Sequence, residues 1–194
     1  MRNLVYYVAL SIDGFIAGPN DEVDFYPTSP EYMEWMITEF PDTVPSHLRS
    51  AVGIEEAPNR CFDTVLMGRR TYEGPARKEG VTNPYRHLRQ YVFSRTMEQL
   101  DPAVETVTTD PVAKVRELKR EDSAADIYLA GGGILAGTLV DEIDRLVIKK
   151  YPVVAGAGVP AFGSTFRPTR FDLTDVKTFD GGNTVMYYDR TTGS

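Results

Sequence analysis

The sequence has little of what several classes of protein require. Its 194 residues include a single cysteine, Cys61, which excludes an intramolecular disulfide and fits a reducing compartment. No histidine stands near Cys61 in the sequence to activate its thiol, so we interpret this cysteine as inert. The two histidines, His47 and His87, are too few for a His-rich metal site, and we predict no bound metal.

Charge and hydropathy exclude two further kinds of partner. The formal net charge of −7 does not provide the basic surface that generic nucleic-acid binding needs. No uninterrupted apolar run reaches the roughly 18–20 residues of a membrane span. The first ten residues also lack the apolar core and cleavage site of a signal peptide. We therefore predict a cytoplasmic protein that takes a small-molecule substrate and binds neither nucleic acid nor membrane.

What the sequence does contain is an alternation of strand and helix patterns along one domain, residues 1–194. Strands are predicted at residues 3–10, 64–67, 90–93, 104–108, 126–130 and 145–154, with a closing antiparallel pair at 171–179 and 184–188. Helices are predicted to begin at Ser29, Arg69, Asp110 and Ile134, the second being broken early at Gly74-Pro75. This order indicates an α/β fold with a mostly parallel central sheet and an antiparallel C-terminal hairpin.

Three glycines, Gly131 to Gly133, follow the predicted strand at 126–130 and precede a helix. Glycines at such a turn let the backbone approach a ligand closely, and the helix N-terminus offers unpaired N–H groups to a diphosphate. The stretch fits the pattern G-x-G-x-x-A formally, but it lies late in the chain and Tyr151 stands where that fingerprint has an acid. The alternative is that these glycines serve only close packing of strand and helix.

Two more strand ends carry groups that suit an anion. Gly68, Arg69, Arg70 and Thr71 follow the strand at 64–67, and arginine forks match phosphate oxygens well. Ser94 and Arg95 follow the strand at 90–93, and a hydroxyl and a guanidinium there suit a 2′-phosphate or an adenine face. The alternative is that these arginines are simply solvated at the protein surface. Because open α/β sheets bind ligands beyond the carboxyl ends of their strands, the three junctions together predict a dinucleotide site.

Two acids are candidates for contact with the substrate. Asp13 belongs to the turn Asp13-Gly14 after the first strand, and Asp24 lies between Val23 and Phe25. Either carboxyl group could make a polar contact with a substrate or supply a proton through water. The alternative for Asp13 is a purely turn-forming aspartate.

Taken in order, these segments resemble the dihydrofolate reductase fold. They are more similar still to proteins resembling the C-terminal reductase domain of the bacterial riboflavin-biosynthesis protein RibD. The likeness spans nearly the whole chain, and the segments that carry it are residues 9–17, 65–72, 91–95, 127–133 and 152–162. The resemblance implies a three-layer α/β fold and the cofactor NADPH. A homodimer is also implied, through the closing strands.

The resemblance further implies which residues bind the cofactor. They are Ala9, Ile16, Gly68, Arg69, Arg70, Thr71, Ser94, Arg95, Gly131, Gly132, Gly133 and Ile134. Residues 68–71 would hold the diphosphate and 2′-phosphate side, and residues 94–95 the adenosine end. The three glycines would meet the diphosphate and the nicotinamide, with Gly131 and Gly132 joined by a cis peptide. Ala9, Ile16 and Ala17 would line the nicotinamide and the substrate ring.

One position departs from the dihydrofolate reductase pattern. Those enzymes carry an acid on the first helix, and the matching residue here is Tyr32, which cannot protonate a pterin in the same way. The resemblance therefore favours a reductase of a small heterocycle, similar to 5-amino-6-(5-phosphoribosylamino)uracil reductase of riboflavin biosynthesis. The alternatives are a dihydrofolate reductase, a non-catalytic NADPH-binding protein of this fold, and a binding module without a cofactor.

Overall fold

A sheet of eight strands forms the centre of the described chain. The structure, a computed structural model, describes residues 1–163 and 166–191, with the side chains of 75–78 outside the description. The strands of this sheet are β1 (Leu4–Leu10), β3 (Phe62–Gly68), β4 (Arg89–Phe93), β5 (Val104–Val107), β6 (Asp126–Gly131), β7 (Arg145–Lys150), β9 (Phe171–Thr178) and β10 (Thr184–Arg190). Their spatial order is β5-β4-β3-β6-β1-β7-β10-β9, and the pairs from β5 to β7 are parallel while β10 is antiparallel to both of its neighbours.

Helices and a two-stranded ribbon surround this sheet. The helices are α1 (Pro30–Glu39), α2 (Ser46–Arg49), α3 (Arg69–Glu79), α4 (Pro111–Lys119) and α5 (Gly133–Thr138), and single 3₁₀ turns lie at Pro41–Thr43, Ser50–Val52 and Asp180–Gly182. The ribbon pairs β2 (Phe15–Ala17) with β8 (Val159–Pro160) in antiparallel orientation. No described helix is long and apolar enough to cross a membrane.

Side chains alternate between two buried faces of the sheet, as strand geometry requires. On one face, Leu4, Tyr6 and Leu129 pack with α4 and α5 residues such as Leu118 and Leu135. On the other face, Val5, Tyr7 and Tyr128 pack in a cluster rich in aromatic rings that includes Tyr32 of α1 and Tyr72 of α3. The result is the three-layer α/β architecture with a mostly parallel sheet and an antiparallel C-terminal pair that the sequence predicted.

The buried carboxylate of Asp42 fixes the start of β3, the strand that ends just before Arg69 and Arg70. Its oxygens accept hydrogen bonds from the backbone N–H groups of Arg60, Cys61 and Phe62 at 2.8, 2.6 and 2.8 Å. Asp42 is fully buried, so these three donors replace the water that the carboxylate loses. Burial also raises the pKa of the neighbouring Cys61 thiol, which agrees with an inert cysteine.

Three local expectations differ from the structure. The predicted strand at 145–154 ends at Lys150, because Pro152 has no N–H to continue the ladder. The helix that begins at Arg69 runs through Gly74-Pro75 to Glu79 and ends with Gly80 in the left-handed region, since a proline can bend a helix without ending it. The ribbon of β2 and β8 was not foreseen, because strands of three and two residues carry too little pattern to detect.

Candidate functional site

A cavity of about 1050 Å³ opens at the carboxyl ends of the parallel strands. Residues from the ends of β1, β3, β4, β5, β6 and β7 contribute to its wall, and so do the loop after β1 and the starts of α3 and α5. Its volume is at the top of the range of about 300–1,000 Å³ that is typical of small-molecule sites. The cavity therefore has room for a dinucleotide and a small second molecule.

Most of the residues predicted to bind the cofactor line this one cavity. They are Ala9, Ile16, Gly68, Arg69, Arg70, Thr71, Ser94, Arg95, Gly132, Gly133 and Ile134. Gly131 lies outside the lining, where a Cβ would meet the ring of the buried Tyr6 at 3.9 Å. The structure thus brings together three junctions that are far apart in the sequence. Their role in binding a cofactor stays a prediction.

The first two junctions are in direct contact. A Cβ on Gly68 would lie 3.4 Å from the backbone N of Gly132, and a Cβ on Gly132 would lie 3.6 Å from Thr71 Oγ1 and 3.7 Å from Ile16 Cδ1. The peptide bond between Gly131 and Gly132 is cis, as the resemblance implied. The bare backbone of Gly132 therefore forms a narrow floor between Thr71 and Ile16, which suits the flat face of a ring.

The β8 segment packs against the turn formed by residues 131–133, the glycine turn, from outside. A Cβ on Gly133 would lie only 2.1 Å from the carbonyl oxygen of Pro160, so this position tolerates no side chain in the present arrangement. The N–H of Gly163 donates to Gly133 O at 2.8 Å, and the Tyr6 hydroxyl donates to Ala161 O at 2.9 Å. These contacts hold the turn and the β2–β8 ribbon at fixed positions around the cavity.

One end of the cavity lies at the N-terminus of α3, where the sequence predicts an anion site. Gly68 is its N-cap, no side chain caps the helix, and its first turn holds no acid, so its N–H groups and positive dipole end face the cavity. Arg69 pairs with Glu73 at 3.0 Å and Arg70 with Asp21 at 2.7 Å, while Arg95 is exposed. Both side chains of the Arg70–Asp21 pair are exposed. Exposed ion pairs are weak, about 0–1 kcal/mol, so a phosphate could displace Asp21 at little cost.

Ser94 has a structural role in the third junction. Its Oγ accepts hydrogen bonds from the N–H groups of Thr96 and Met97 at 3.3 and 3.1 Å, and its own N–H donates to Val107 O at 3.1 Å. These bonds turn the chain after β4 and place Arg95 at the rim of the cavity. Sequence reasoning did not include residues 108–110, which follow β5 and line the same end.

The opposite end of the cavity is formed by one face of β1, β6 and β7. Tyr7 and Ala9 of β1, Tyr128 and Ala130 of β6, and Lys149 of β7 line it. Lys149 Nζ lies 3.9 Å from the centroid of the Tyr7 ring. Burial lowers the pKa of Lys149 to about 7. Sequence reasoning missed this lysine because a Lys-Lys pair ending a strand is usually solvated; the one signal was that position 149 shares its strand face with the buried Val147.

The two predicted acids lie outside the cavity lining. The Asp13 carboxylate accepts hydrogen bonds from Ser11 Oγ at 2.6 Å and from the backbone N–H groups of Ala155 and Gly156 at 3.0 and 2.7 Å. The serine contact first, and then these backbone bonds, lower its pKa to about 2. An acid held ionised in this way is a poor proton donor at neutral pH. Asp24 is exposed. A catalytic role for either residue stays a prediction, and this geometry gives it no support.

Tyr32 does not replace the missing acid of dihydrofolate reductases. Its side chain is buried, and its hydroxyl lies 2.8 Å from that of Tyr151. Burial raises the pKa of Tyr32 far above the ordinary value for a phenol, and the residue is not part of the cavity lining.

Among the residues that the structure describes, no group of three or more His, Cys, Asp and Glu side chains could hold a metal ion.

Comparison with known sequences gives a family and two relatives. The sequence model of the family described as RibD C-terminal domain matches residues 2–185. The chain is 27% identical over 199 residues to the uncharacterized protein YyaP of Bacillus subtilis (strain 168), covering 96% of this chain and 94% of YyaP. It is also 27% identical over 191 residues to the uncharacterized protein YwjB of the same organism, covering 97% and 98% of the two chains.

Solved structures share the fold at low sequence identity. A Shewanella sp. PV-4 protein that carries the provisional name riboflavin biosynthesis protein aligns with a TM-score of 0.70 and 24% identity over 98% of this chain and 99% of its own. The Thermotoga maritima deaminase and 5-amino-6-(5-phosphoribosylamino)uracil reductase aligns at 0.62 and 17%, covering 97% of this chain and 56% of that one. Enterococcus faecalis dihydrofolate reductase, complexed with NADP(H) and RAB-propyl, aligns at 0.63 and 11%, over 97% and 96%. The fold is therefore that of dihydrofolate reductase.

Proposed function

The chain belongs to the RibD C-terminal domain family, and from that premise we propose that it is an NADPH-dependent reductase of a small heterocyclic substrate. The observation that carries the proposal is the cavity at the carboxyl edge of the sheet, where two strand-to-helix junctions and the loop after β4 meet. This edge is where open α/β sheets bind ligands. The relation to riboflavin biosynthesis and to a ribosylamino-pyrimidine substrate is part of the proposal.

The residues present fit a dinucleotide phosphate. The uncapped N-terminus of α3 and Arg69 and Arg70 would receive the diphosphate side, and Arg95 would bind the 2′-phosphate. The bare backbone at Gly132, with Thr71 and Ile16 on either side, would receive the nicotinamide. When bound, NADPH supplies the hydride; the protein orients the two rings and excludes water from the space between them.

Dihydrofolate itself is a less suitable substrate for this site. Tyr32 stands where dihydrofolate reductases have an acid, and its hydroxyl is occupied by Tyr151. A cation, Lys149, lies at the end of the cavity that would hold the second ring. The aminopyrimidine part of a pterin becomes positively charged when it is protonated, so a lysine there is unfavourable.

The cofactor is tested by calorimetry with NADPH and NADH on the wild type, Arg95→Ala and a control variant, Arg86→Ala. Arg86 is exposed and lies outside the cavity lining. We expect NADPH to bind at least about 10-fold more tightly than NADH, because a charge-assisted contact to the 2′-phosphate contributes about 1.5–3 kcal/mol. Arg95→Ala should remove most of that preference, and Arg86→Ala should leave it unchanged. Equal affinity for the two cofactors, or no heat with NADPH, contradicts the proposal.

Catalysis is tested separately by NADPH oxidation in the presence of 5-amino-6-(5-phosphoribosylamino)uracil or dihydrofolate. Turnover of the first and not of the second is expected. Binding of NADPH without oxidation by any C=N or C=O acceptor would indicate a non-catalytic member of the family.

A homodimer through β9, whose residues are mostly exposed, stays a prediction that the molar mass in solution would test.

A further inference from the structure

Lys149 is a cation at the end of the cavity farthest from the arginines in the order of the strands. Lys149 of β7 pairs with Ala9 of β1, and β1 pairs on its other side with β6, the strand that ends at Gly131. Two strand spacings therefore separate Lys149 from the glycine turn, about 10 Å. The small side chains of Ala9 and Ala130 form the wall between these two points. A flat molecule on this wall would have the glycine turn at one edge and the lysine at the other.

This lysine has no anionic partner in the part of the chain that the structure describes. Within the described residues, its close polar contact is with the face of the Tyr7 ring, 3.9 Å from Nζ to the centroid. Burial is the only cause of its lowered pKa, with no carboxylate acting in the opposite sense. The neighbouring Lys150 differs, since its Nζ donates to Ile12 O at 2.8 Å. Burying a cation beside an aromatic ring face alone costs free energy, unless an anion binds next to it.

The titratable side chains around Lys149 on this face are phenols. Tyr7 comes from β1, Tyr128 from β6, Tyr187 from β10 and Tyr151 from the chain after β7. Burial raises the pKa of each of these phenols, that of Tyr187 to about 12. They are therefore neutral at ordinary pH. The described carboxylates in the cavity lining are engaged elsewhere. Asp21 pairs with Arg70, Glu79 lies 3.4 Å from His47 Nε2, and Asp110 accepts from the N–H of Val112 at 3.0 Å.

We propose that Lys149 is a substrate-specificity residue, which selects a flat substrate that presents an anionic oxygen, such as a carboxylate or an enolate, at the edge remote from the glycine turn. The inference rests on the proposed function in one respect, that the glycine turn holds the nicotinamide. The charge of the second ligand is then set by the lysine and not by the arginines, which lie at the cofactor end. A cationic ring of the same shape is rejected because no described acid reaches this end of the cavity.

The test uses three ligands of one shape and different charge: 2-naphthoate, 2-naphthamide and 2-naphthamidine. Their affinities are measured by calorimetry on the whole protein with and without NADP⁺. On the wild type we expect the anion to bind about 10-fold or more tightly than the neutral amide, and the cation most weakly. Lys149→Met should abolish this order, Lys149→Arg should keep it, and Lys150→Met, the matched control, should leave it unchanged. Equal binding of anion and amide by the wild type, or an unchanged order in Lys149→Met, overturns the proposal.

A second readout does not depend on any variant folding. Because the ammonium form of Lys149 is present below its pKa and is lost as pH rises through about 7, the affinity for 2-naphthoate should fall between about pH 6 and about pH 8.5, and the anion should bind with net proton uptake. The affinity for 2-naphthamide should not change over this range. A pH-independent preference for the anion in the wild type contradicts the assignment to Lys149.

The outcomes separate this inference from the proposed function. If NADPH fails to bind while the charge order depends on Lys149, the cofactor assignment fails and the specificity residue stands. If NADPH binds more tightly than NADH while the three naphthyl ligands bind alike, the reductase proposal stands and the role of Lys149 is refuted.

Discussion

Replacement of Gly133 by alanine tests the packing around the glycine turn most directly. The added Cβ would lie 2.1 Å from Pro160 O and 3.3 Å from its carbonyl carbon, whereas relaxed C···O contacts are about 3.3–3.6 Å. One of the two segments must therefore move by roughly 1 Å. Overpacking of this kind costs about 1–3 kcal/mol. Loss of the 2.8 Å hydrogen bond from Gly163 N–H to Gly133 O would add about 0.5–1.5 kcal/mol.

We therefore expect Gly133→Ala to lower the free energy of unfolding by about 2–4 kcal/mol, measured by urea denaturation. The matched control is Gly74→Ala. Gly74 lies within α3, its Cβ would meet nothing within 4 Å, and its backbone is not in the left-handed region. Alanine there should stabilise the protein by up to about 1 kcal/mol. A Gly133→Ala variant within about 0.5 kcal/mol of the wild type would refute the account of this turn as a fixed contact between two segments.

Three further predictions concern side chains that hold the fold around the cavity. Asp42→Ala should lower the free energy of unfolding by about 3 kcal/mol or more, because three backbone N–H donors lose their buried acceptor. Asp24→Ala, at an exposed position, should stay within about 0.5 kcal/mol, and equal effects would contradict the reasoning. Tyr32→Phe should cost about 1–3 kcal/mol in the same assay, because the buried Tyr151 hydroxyl loses its partner, and an unchanged midpoint would contradict this. The pKa of Asp13 is lowered from 3.8 to about 2 in the folded protein. The ionised carboxylate therefore stabilises the fold fully above the pKa of the unfolded state, and this stabilisation is lost as pH falls through about 2. The stability deficit of Asp13→Asn should shrink over that range, and a carboxyl NMR titration of Asp13 with its midpoint near 4 would contradict the prediction.

Much of the fold was predictable because its signals are local. The buried strands are short runs of β-branched and aromatic residues, and the helix starts at Ser29 and Asp110 carry side chains that cap the first turn. Short glycine and arginine motifs after three of the strands identified the junctions. Since parallel strands bring their carboxyl ends to one edge, these junctions could be expected to meet, and the structure places them around one cavity.

The chemistry of the second ligand was not predictable in the same way. Asp13 is a candidate by sequence because it follows the first strand, and Asp24 because it lies beside aromatic residues, but nothing local shows where a carboxylate points. In the fold, Asp13 meets the N–H groups of residues 155 and 156, which are more than 140 positions away. Lys149 was passed over because a lysine at a strand end is normally solvated. Only the neighbours of β7 show that this one faces the cavity.

The sequence by itself determined the order of elements, the family resemblance and the junctions that line the cavity, because each of these depends on residue types at short spacing. Tertiary structure alone decided that Gly133 has no room for a side chain, that the Tyr32 hydroxyl is hydrogen-bonded to that of Tyr151, and that Lys149 meets no acid among the described residues. These properties arise between segments distant along the chain. Burial, close contact and pairing are relations between atoms in space, and no short pattern of residues fixes them.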